Sequence, residues 1–342
     1  MTNSQSSVGP VLVTGGAGFI GSELVRQLVD GGHEVLVVDN LVNGRRENLA
    51  DVAGARCTLV VNDVRDDTAM AAALRGATIV FHLACLGVRH SIHAPLENHD
   101  VNASATLTLL ALAREAGVRR FVQVSTSEVY GTARYVPMTE EHPTYPPTVY
   151  GASKLAAECY ARAFFATHEF PTVVVRPFNA YGPRCHHEGD SGEVIPKFLL
   201  RAMAGRPLVV FGDGTQTRDF TFVSDTAAGI MAAGFAANAT GQTINIGSGH
   251  SMSINALAQQ VALMAGRSVE VLHDRPRPGD VHDLRADASR AATLLGYAPA
   301  VTLADGLRRL RQWYEGAGVP VETLLEQERV RNWETGTVKA DV

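Results

Sequence analysis

Val11-Leu12-Val13-Thr14-Gly15-Gly16-Ala17-Gly18-Phe19-Ile20-Gly21 is an apolar run that breaks into glycines three apart and then resumes with helical character. The spacing predicts a buried strand ending at Thr14 and a tight turn at Gly15. Gly18 lets backbone N–H groups approach a diphosphate, and Gly21 lets the following helix lie close to the sheet. That helix is predicted over Ser22 to Asp30, stopped by Gly31-Gly32, and a second apolar run from Glu34 to Val38 ends in Asp39-Asn40. The whole is a strand, helix, strand unit of the length that binds a dinucleotide. An acid at the tip of the second strand accepts hydrogen bonds from the adenosine ribose and repels a 2′-phosphate, so Asp39 points to NAD over NADP. Arg45 and Arg46 leave an alternative: folded over the ribose they would hold a phosphate, and otherwise they belong to a solvated loop.

The rest of the 342 residues are ordinary in composition, with 46% hydrophobic and 19% charged residues and a formal net charge of −5. That balance leaves no electrostatic footprint for nucleic acid. No apolar segment is long enough to cross a bilayer, and the first ten residues lack the charged and apolar regions of a signal peptide, so no membrane contact and a cytoplasmic location are expected. Cys57, Cys85, Cys159 and Cys185 are scattered without metal-ligand spacing, and His186-His187 has no flanking ligands; reduced thiols and no metal site are expected.

From Val11 to about Val175, β-type runs alternate with helical segments, the pattern of an α/β protein with a Rossmann-type, doubly wound parallel sheet. Strands are predicted at Val11–Thr14, Glu34–Asp39, Cys57–Asn62, Ile79–Leu83, Phe121–Ser125 and Thr172–Arg176. Two long apolar helices, 101–116 and 150–168, have faces suited to the core or to pairing in a homodimer. After Arg176 short elements separated by Gly and Pro suggest a smaller C-terminal substrate-binding lobe. The expected division is a disordered N-terminus (1–9), a dinucleotide-binding domain (10–176), a lobe (177–315) and a polar tail with one helix (316–342). Leu208–Phe211 and Thr243–Ile246 read as strands that return to the large sheet.

Tyr150-Gly151-Ala152-Ser153-Lys154 places a phenol and an ammonium on one helical face. A lysine beside a tyrosine lowers the phenol's pKa, so that a tyrosinate can accept a hydroxyl proton near neutral pH. Val122 to Gly131 reads as a strand ending in a hydroxyl cluster and one carboxylate, Ser125-Thr126-Ser127-Glu128, at the sheet end that faces the ligand crevice.

These residues resemble the extended short-chain dehydrogenase/reductases, in particular the NAD-dependent nucleotide-sugar epimerases, dehydratases and decarboxylases. The likeness runs from Gly15 to about Leu310. Its motifs are Gly15-x-x-Gly18-x-x-Gly21, Asp39-Asn40, Asp63-Val64, His82-Leu83-Ala84, Ser125-Thr126, Tyr150-x-x-x-Lys154, Arg176-Pro177-Phe178-Asn179, Tyr181-Gly182-Pro183-Arg184, Gln216 to Phe220 and Arg277-Pro278-Gly279-Asp280. The resemblance implies that Tyr150 takes the sugar 4-hydroxyl proton, tuned by Lys154, with Thr126 on the same oxygen and NAD as hydride acceptor. Asp63 would receive the adenine amino group beside Val64, while Phe19, Ile20, Leu83, Ala84 and Pro177 would line the cofactor. It places Asn179, Arg184 and Asp280 on a nucleotide-diphosphate sugar, Val209 and Phe211 on the base, and Arg218 and Arg277 on the phosphates. Paired, charge-assisted bonds suit arginine to that task.

Once C4 is a ketone, its neighbouring C5 hydrogen is acidic, and Glu128 is placed to take it. Ser-Thr-x-Glu-Val-Tyr-Gly resembles the 4,6-dehydratases, where x is often an aspartate that protonates the departing 6-hydroxyl; here it is Ser127. Dehydration is therefore the first expectation and 4-epimerisation, which needs only Tyr150, Lys154, Thr126 and NAD, the second. Decarboxylation of a UDP-uronate comes third, because Leu284 stands where those enzymes carry an arginine, and a non-catalytic NAD sensor last. Gly87-Val88-Arg89-His90-Ser91 resembles epimerases of uronic acids, which leaves Arg89 either near a sugar carboxylate or purely structural. Uridine, thymidine and guanosine all suit the slot at Val209 and Phe211.

Overall fold

The computed structural model describes residues 9–334 except 55, 267, 268 and 278. The expected disorder of the N-terminus falls, apart from Gly9, outside the described residues.

Among the described residues are twelve strands: β1 (Val11–Thr14), β2 (Val35–Asp39), β3 (Cys57–Val61), β4 (Ile79–His82), β5 (Arg120–Val124), β6 (Thr172–Pro177), β7 (Asn179–Tyr181), β8 (Leu208–Phe211), β9 (Thr217–Phe222), β10 (Thr243–Ile246), β11 (Ser251–Ser253) and β12 (Val271–Asp274). Seven of them form one parallel sheet in the order β10-β6-β5-β4-β1-β2-β3. Every residue of β1, β4 and β6 is buried. Such strands are covered on both faces and therefore read in the sequence as unbroken apolar runs. Helices Phe19–Asp30 and Val223–Phe235 pack over one face around Leu24, Leu28, Ile230 and Ala233. Helices Asp67–Leu74, Ala105–Glu115 and Val149–His168 cover the other around Met70, Leu109 and Ala161. The 101–116 segment is not one regular helix, since Asp100–Ser104 forms a π-helical turn before Ala105.

Beyond β6 the chain leaves the large sheet, and among the described residues only Thr243–Ile246 returns to it, on the free edge of β6. Leu208–Phe211 does not. It pairs with β12 in a separate two-stranded sheet. The reason lies in its pattern: Leu208 and Val210 are buried and Val209 and Phe211 are half-buried, so one face only meets a core. That lobe core gathers Ile195, Leu199, Leu257, Val261, Leu307 and Leu310. Residues 317–334 carry one helix and pack on the lobe. Helix Val321–Leu325 buries Leu325 in the lobe, and the chain continues along it to Trp333, itself buried. No helix among the described residues is long and apolar enough to cross a membrane.

Candidate active site

The carboxyl ends of β1, β2, β4, β5 and β6 open into one cavity of about 620 Å³, whose far wall is the lobe. Gly15 (φ 70°) makes the turn out of β1, and a Cβ on it would lie 2.7 Å from the Ala84 nitrogen. At Gly21 a Cβ would stand 2.1 Å from the Gly15 carbonyl oxygen, so helix Phe19–Asp30 can start against the turn only with glycine there. Gly18 has open space around it apart from that same oxygen at 3.2 Å, and its backbone lies on the cavity wall with Phe19 and Ile20. The helix N-terminus thus presents uncapped N–H groups to the cavity, a setting that fits a pyrophosphate.

Asp39 ends β2 on the wall, its carboxylate accepting the Ala17 and Leu41 amides at 2.9 and 2.8 Å, while burial raises its pKa. Arg45 pairs with Glu188 at 2.7 Å instead of covering Asp39. Asn40, Val64, Leu83, Ala84 and Pro177 line the cavity. Asp63 does not. Its carboxylate is taken by both arms of Arg65 at 2.8 and 2.9 Å and by the Asn40 amide at 2.8 Å, which hold it far below the usual carboxylate range.

Beneath this cradle His82 is fully buried between Thr14 at 2.7 Å and Thr106 at 2.9 Å. Thr106 donates to the Asn102 carbonyl, so it accepts from His82 Nε2, and Nδ1 accepts from Thr14. Burial holds the imidazole neutral, its pKa pulled down to about 3.

The reacting end is built by β5 and helix Val149–His168. Thr148 caps that helix by accepting the Gly151 amide at 3.1 Å, which sets Tyr150 in its first turn. Thr126 caps the short turn Ser127–Val129, accepting the Glu128 amide at 3.2 Å, and its hydroxyl stands near enough to the Tyr150 phenol to favour the phenolate. Tyr150, Thr126, Ser127 and Glu128 all face the cavity. The expectation that Lys154 lowers the phenol's pKa is not met in the protein alone. Burial raises the phenol well above its ordinary value, Cys85 and Glu128 raise it further, and only Thr126 counters them. The Lys154 ammonium is anchored elsewhere, donating to the Val124 carbonyl at 2.6 Å, and burial lowers its pKa.

At the opposite end Arg218 and Arg277 both donate to one oxygen of Asp280, so two guanidinium groups and one carboxylate converge on the cavity wall. Asn179 is there too, its buried Oδ1 without a partner. Val209 and Phe211 project inward from β8 because strand side chains alternate. Arg184 is not brought in: it has a positive φ of 71° and pairs with Glu23 on helix Phe19–Asp30. Arg89 is half-buried with its buried Nε unpartnered, and desolvation lowers its pKa to about 10.

Other cavity residues escaped the sequence reading. Glu193 and Lys197, four apart at the start of helix Val194–Ala204, open into the cavity, and burial drives both toward about 7. Their spacing was visible, but in Val-Ile-Pro-Lys-Phe-Leu-Leu one lysine looks incidental. Cys85 was equally unmarked. Glu328, Val330, Asn332 and Trp333 reach the cavity from the C-terminal segment.

The GDP-mannose 4,6 dehydratase family model matches residues 12–310. A UDP-glucose 4-epimerase of Mycolicibacterium smegmatis is 36% identical over 308 residues, 89% of this chain and 97% of the relative. Among solved structures, DesIV (dTDP-glucose 4,6-dehydratase) from Streptomyces venezuelae, with NAD and TYD bound, is 36% identical with a TM-score of 0.85, over 90% of this chain and 97% of that one. UDP-glucuronic acid 4-epimerase from Bacillus cereus, in complex with UDP-glucuronic acid and NAD, is 30% identical with a TM-score of 0.84, over 90% and 99%. By sequence and by fold, the chain belongs to the GDP-mannose 4,6 dehydratase family, within the extended short-chain dehydrogenase/reductases that comprise nucleotide-sugar epimerases, dehydratases and decarboxylases.

Proposed function

We propose that the protein removes water from a nucleotide-diphosphate hexose, giving the 4-keto-6-deoxy sugar, with NAD held on the glycine cradle. The supporting observation is Glu128: its carboxylate opens into the same cavity as Thr126 and Tyr150, close enough to bear on the phenol's charge. Held by Gly15, Gly18, Gly21 and Asp39, NAD would supply a hydride acceptor for C4 and a hydride donor later in the cycle.

Gly15, Gly18 and Gly21 receive the pyrophosphate, and the Asp39 carboxylate receives the adenosine ribose. Arg218 and Arg277 exchange Asp280 for the sugar diphosphate, and Asn179 lies beside them. Tyr150 accepts the 4-hydroxyl proton while the Thr126 hydroxyl holds the same oxygen in line. Lys154 holds the helix against β5 and keeps a positive charge under the reacting end. Glu128 then takes the C5 proton, acidified by the C4 ketone, and passes it to the 6-hydroxyl beside Ser127, which departs as water. A proton returned to C5 and hydrogen returned at C6 complete a reaction whose only by-product is that water. The test is turnover of UDP-, dTDP- and GDP-hexoses in deuterated water, followed by NMR. Dehydration gives a 4-keto product with deuterium at C5 and loses its rate in Glu128→Gln; normal turnover by that variant overturns it.

A second reading, 4-epimerisation, is favoured by the relatives named as epimerases and by Ser127 standing where a dehydratase often has an acid. Tyr150, Thr126 and Lys154 suffice for it. It would invert C4 with no deuterium at C5. Half-exposed Leu107 and Phe165, on the two helices expected to pair, support a homodimer as part of either reading.

A further inference from the structure

The chain beyond residue 310, where the family model stops, turns back onto the cavity. Residues 330–333 form a turn there, the Glu334 amide donating to the Arg331 carbonyl at 3.2 Å. Glu328, Val330, Asn332 and Trp333 line the cavity, while Arg329 and Arg331 pair with Asp190 and Asp274. The ties are numerous and come from both rims. Arg331 forks onto Asp274 at 2.8 and 2.9 Å, and Asp274 lies opposite Phe211 in the β8–β12 pair. The amide of Asn332, buried to 2% exposure, donates to the carbonyls of Asp190 and Gly192 at 3.1 and 3.0 Å. Lys197 donates to the Arg329 carbonyl at 2.6 Å, and the Arg201 Nε bonds both oxygens of Glu328 at 2.9 and 3.0 Å. Trp333 ends this run edge-to-face on Phe211, ring centroids 4.6 Å apart at 84°.

We infer that residues 328–333 form the outer wall of a nucleoside-diphosphate site and that Trp333 is a positioning residue for the nucleobase. Val209 and Phe211 alone offer an apolar floor on a strand with few neighbours. Trp333, set nearly perpendicular to Phe211, holds that ring in one orientation, and a base stacking at this slot needs a ring so fixed. Asn332 and the Arg201–Glu328 pair then bring polar groups to the rim of an otherwise apolar slot. The inference rests on the nucleotide-sugar reading but not on which reaction follows, because base binding is common to elimination and epimerisation.

The sequence holds two tryptophans, so Trp313→Phe leaves Trp333 as the sole reporter. The holoenzyme of that variant is titrated with UDP, dTDP and GDP by fluorescence and, in parallel, by calorimetry. Trp333 emission is expected to change with the same midpoint as the heat of binding. Trp333→Ala in the otherwise native chain should weaken nucleotide binding at least tenfold and raise KM in proportion, with kcat within about twofold and bound NAD unchanged. Trp333→Phe should restore binding to within about threefold. Heat of binding without any change in Trp333 emission, or an unchanged Kd in Trp333→Ala, overturns the inference while leaving the function intact. Absence of binding by any of the three nucleotides to the native protein overturns both. Should Trp333→Ala fail to fold, the fluorescence titration and Trp333→Phe still decide.

Discussion

Arg176, near the end of β6, grips Glu158 on helix Val149–His168 with two parallel hydrogen bonds, Nε to Oε1 at 2.9 Å and a terminal nitrogen to Oε2 at 2.7 Å. Both side chains are almost fully buried, at 3% and 0% exposure. Ser125 donates to the same carboxylate, and Arg176 also donates to the Tyr130 hydroxyl, which in turn donates to Asn245 on β10. The network therefore joins the helix that carries Tyr150 and Lys154 to the ends of β5 and β6, which wall the cavity, and to β10 beside them. Glu158 lies one turn beyond Lys154, so the ion pair fixes where the catalytic face meets the sheet.

Removing one partner leaves a buried charge unpaired. Arg176→Met or Glu158→Leu alone should cost about 3–5 kcal/mol of stability, and the double variant should recover most of it. Denaturant unfolding of the four proteins measures the coupling; additive losses would show that the pair is not acting as a unit.

The glycine cradle separates two effects that one motif usually merges. Gly21→Ala drives a Cβ into the Gly15 carbonyl at 2.1 Å and should both destabilise the fold and abolish NAD retention. Gly18→Ala meets only an oxygen at 3.2 Å and should leave the unfolding midpoint within about 2 °C, yet weaken NAD binding because its methyl stands in the ligand's space. Thermal unfolding and cofactor content after purification give the two readings.

Glu193 gives a pH dependence with a definite sign. Its ordinary pKa is 4.5, and burial pushes it up to about 7 in the fold, against the pull of His186 and Arg89. Between those values the folded state binds more protons than the unfolded chain. The stability it lends is present below about 4.5 and is lost as pH rises through 7. Glu193→Gln should therefore gain thermal stability over the native protein progressively from pH 5 to pH 8, with no gain at pH 4. An offset independent of pH would mean that the carboxylate is solvated.

The large sheet was legible because strands buried on both faces are apolar throughout, and Thr243–Ile246 returned to it as its pattern suggested. Leu208–Phe211 misled because four residues with alternating burial resemble a short central strand until their exposure is known. In the site, Tyr150, Lys154, Thr126 and Glu128 could be found from local spacing alone. That Asp63 and Arg184 stand off the cavity wall was less plain: Asp63 is taken by Arg65, two residues on, and Arg184 by Glu23, which only the fold brings near. The C-terminal wall was hidden for the same reason: its arginines look solvated until Asp190 and Asp274 are placed, 139 and 57 residues away.

Thr126 should prove to be the group that makes Tyr150 a usable base. In the protein alone burial, Cys85 and Glu128 all favour the protonated phenol, and the Thr126 hydroxyl is the one neighbour that favours the phenolate. Thr126→Val removes that donor at nearly constant volume, so the phenol's pKa must rise further. The alkaline-rising limb of the kcat/KM profile, which reports deprotonation of the base, should move to higher pH, with a loss of about tenfold to a hundredfold at neutral pH. Thr126→Ser keeps the hydroxyl and should restore the limb to its native position. If Thr126→Val lowered the rate equally at every pH, Thr126 would be acting only on the substrate oxygen, and the low-pH form of Tyr150 would be governed by Lys154 and the bound cofactor instead.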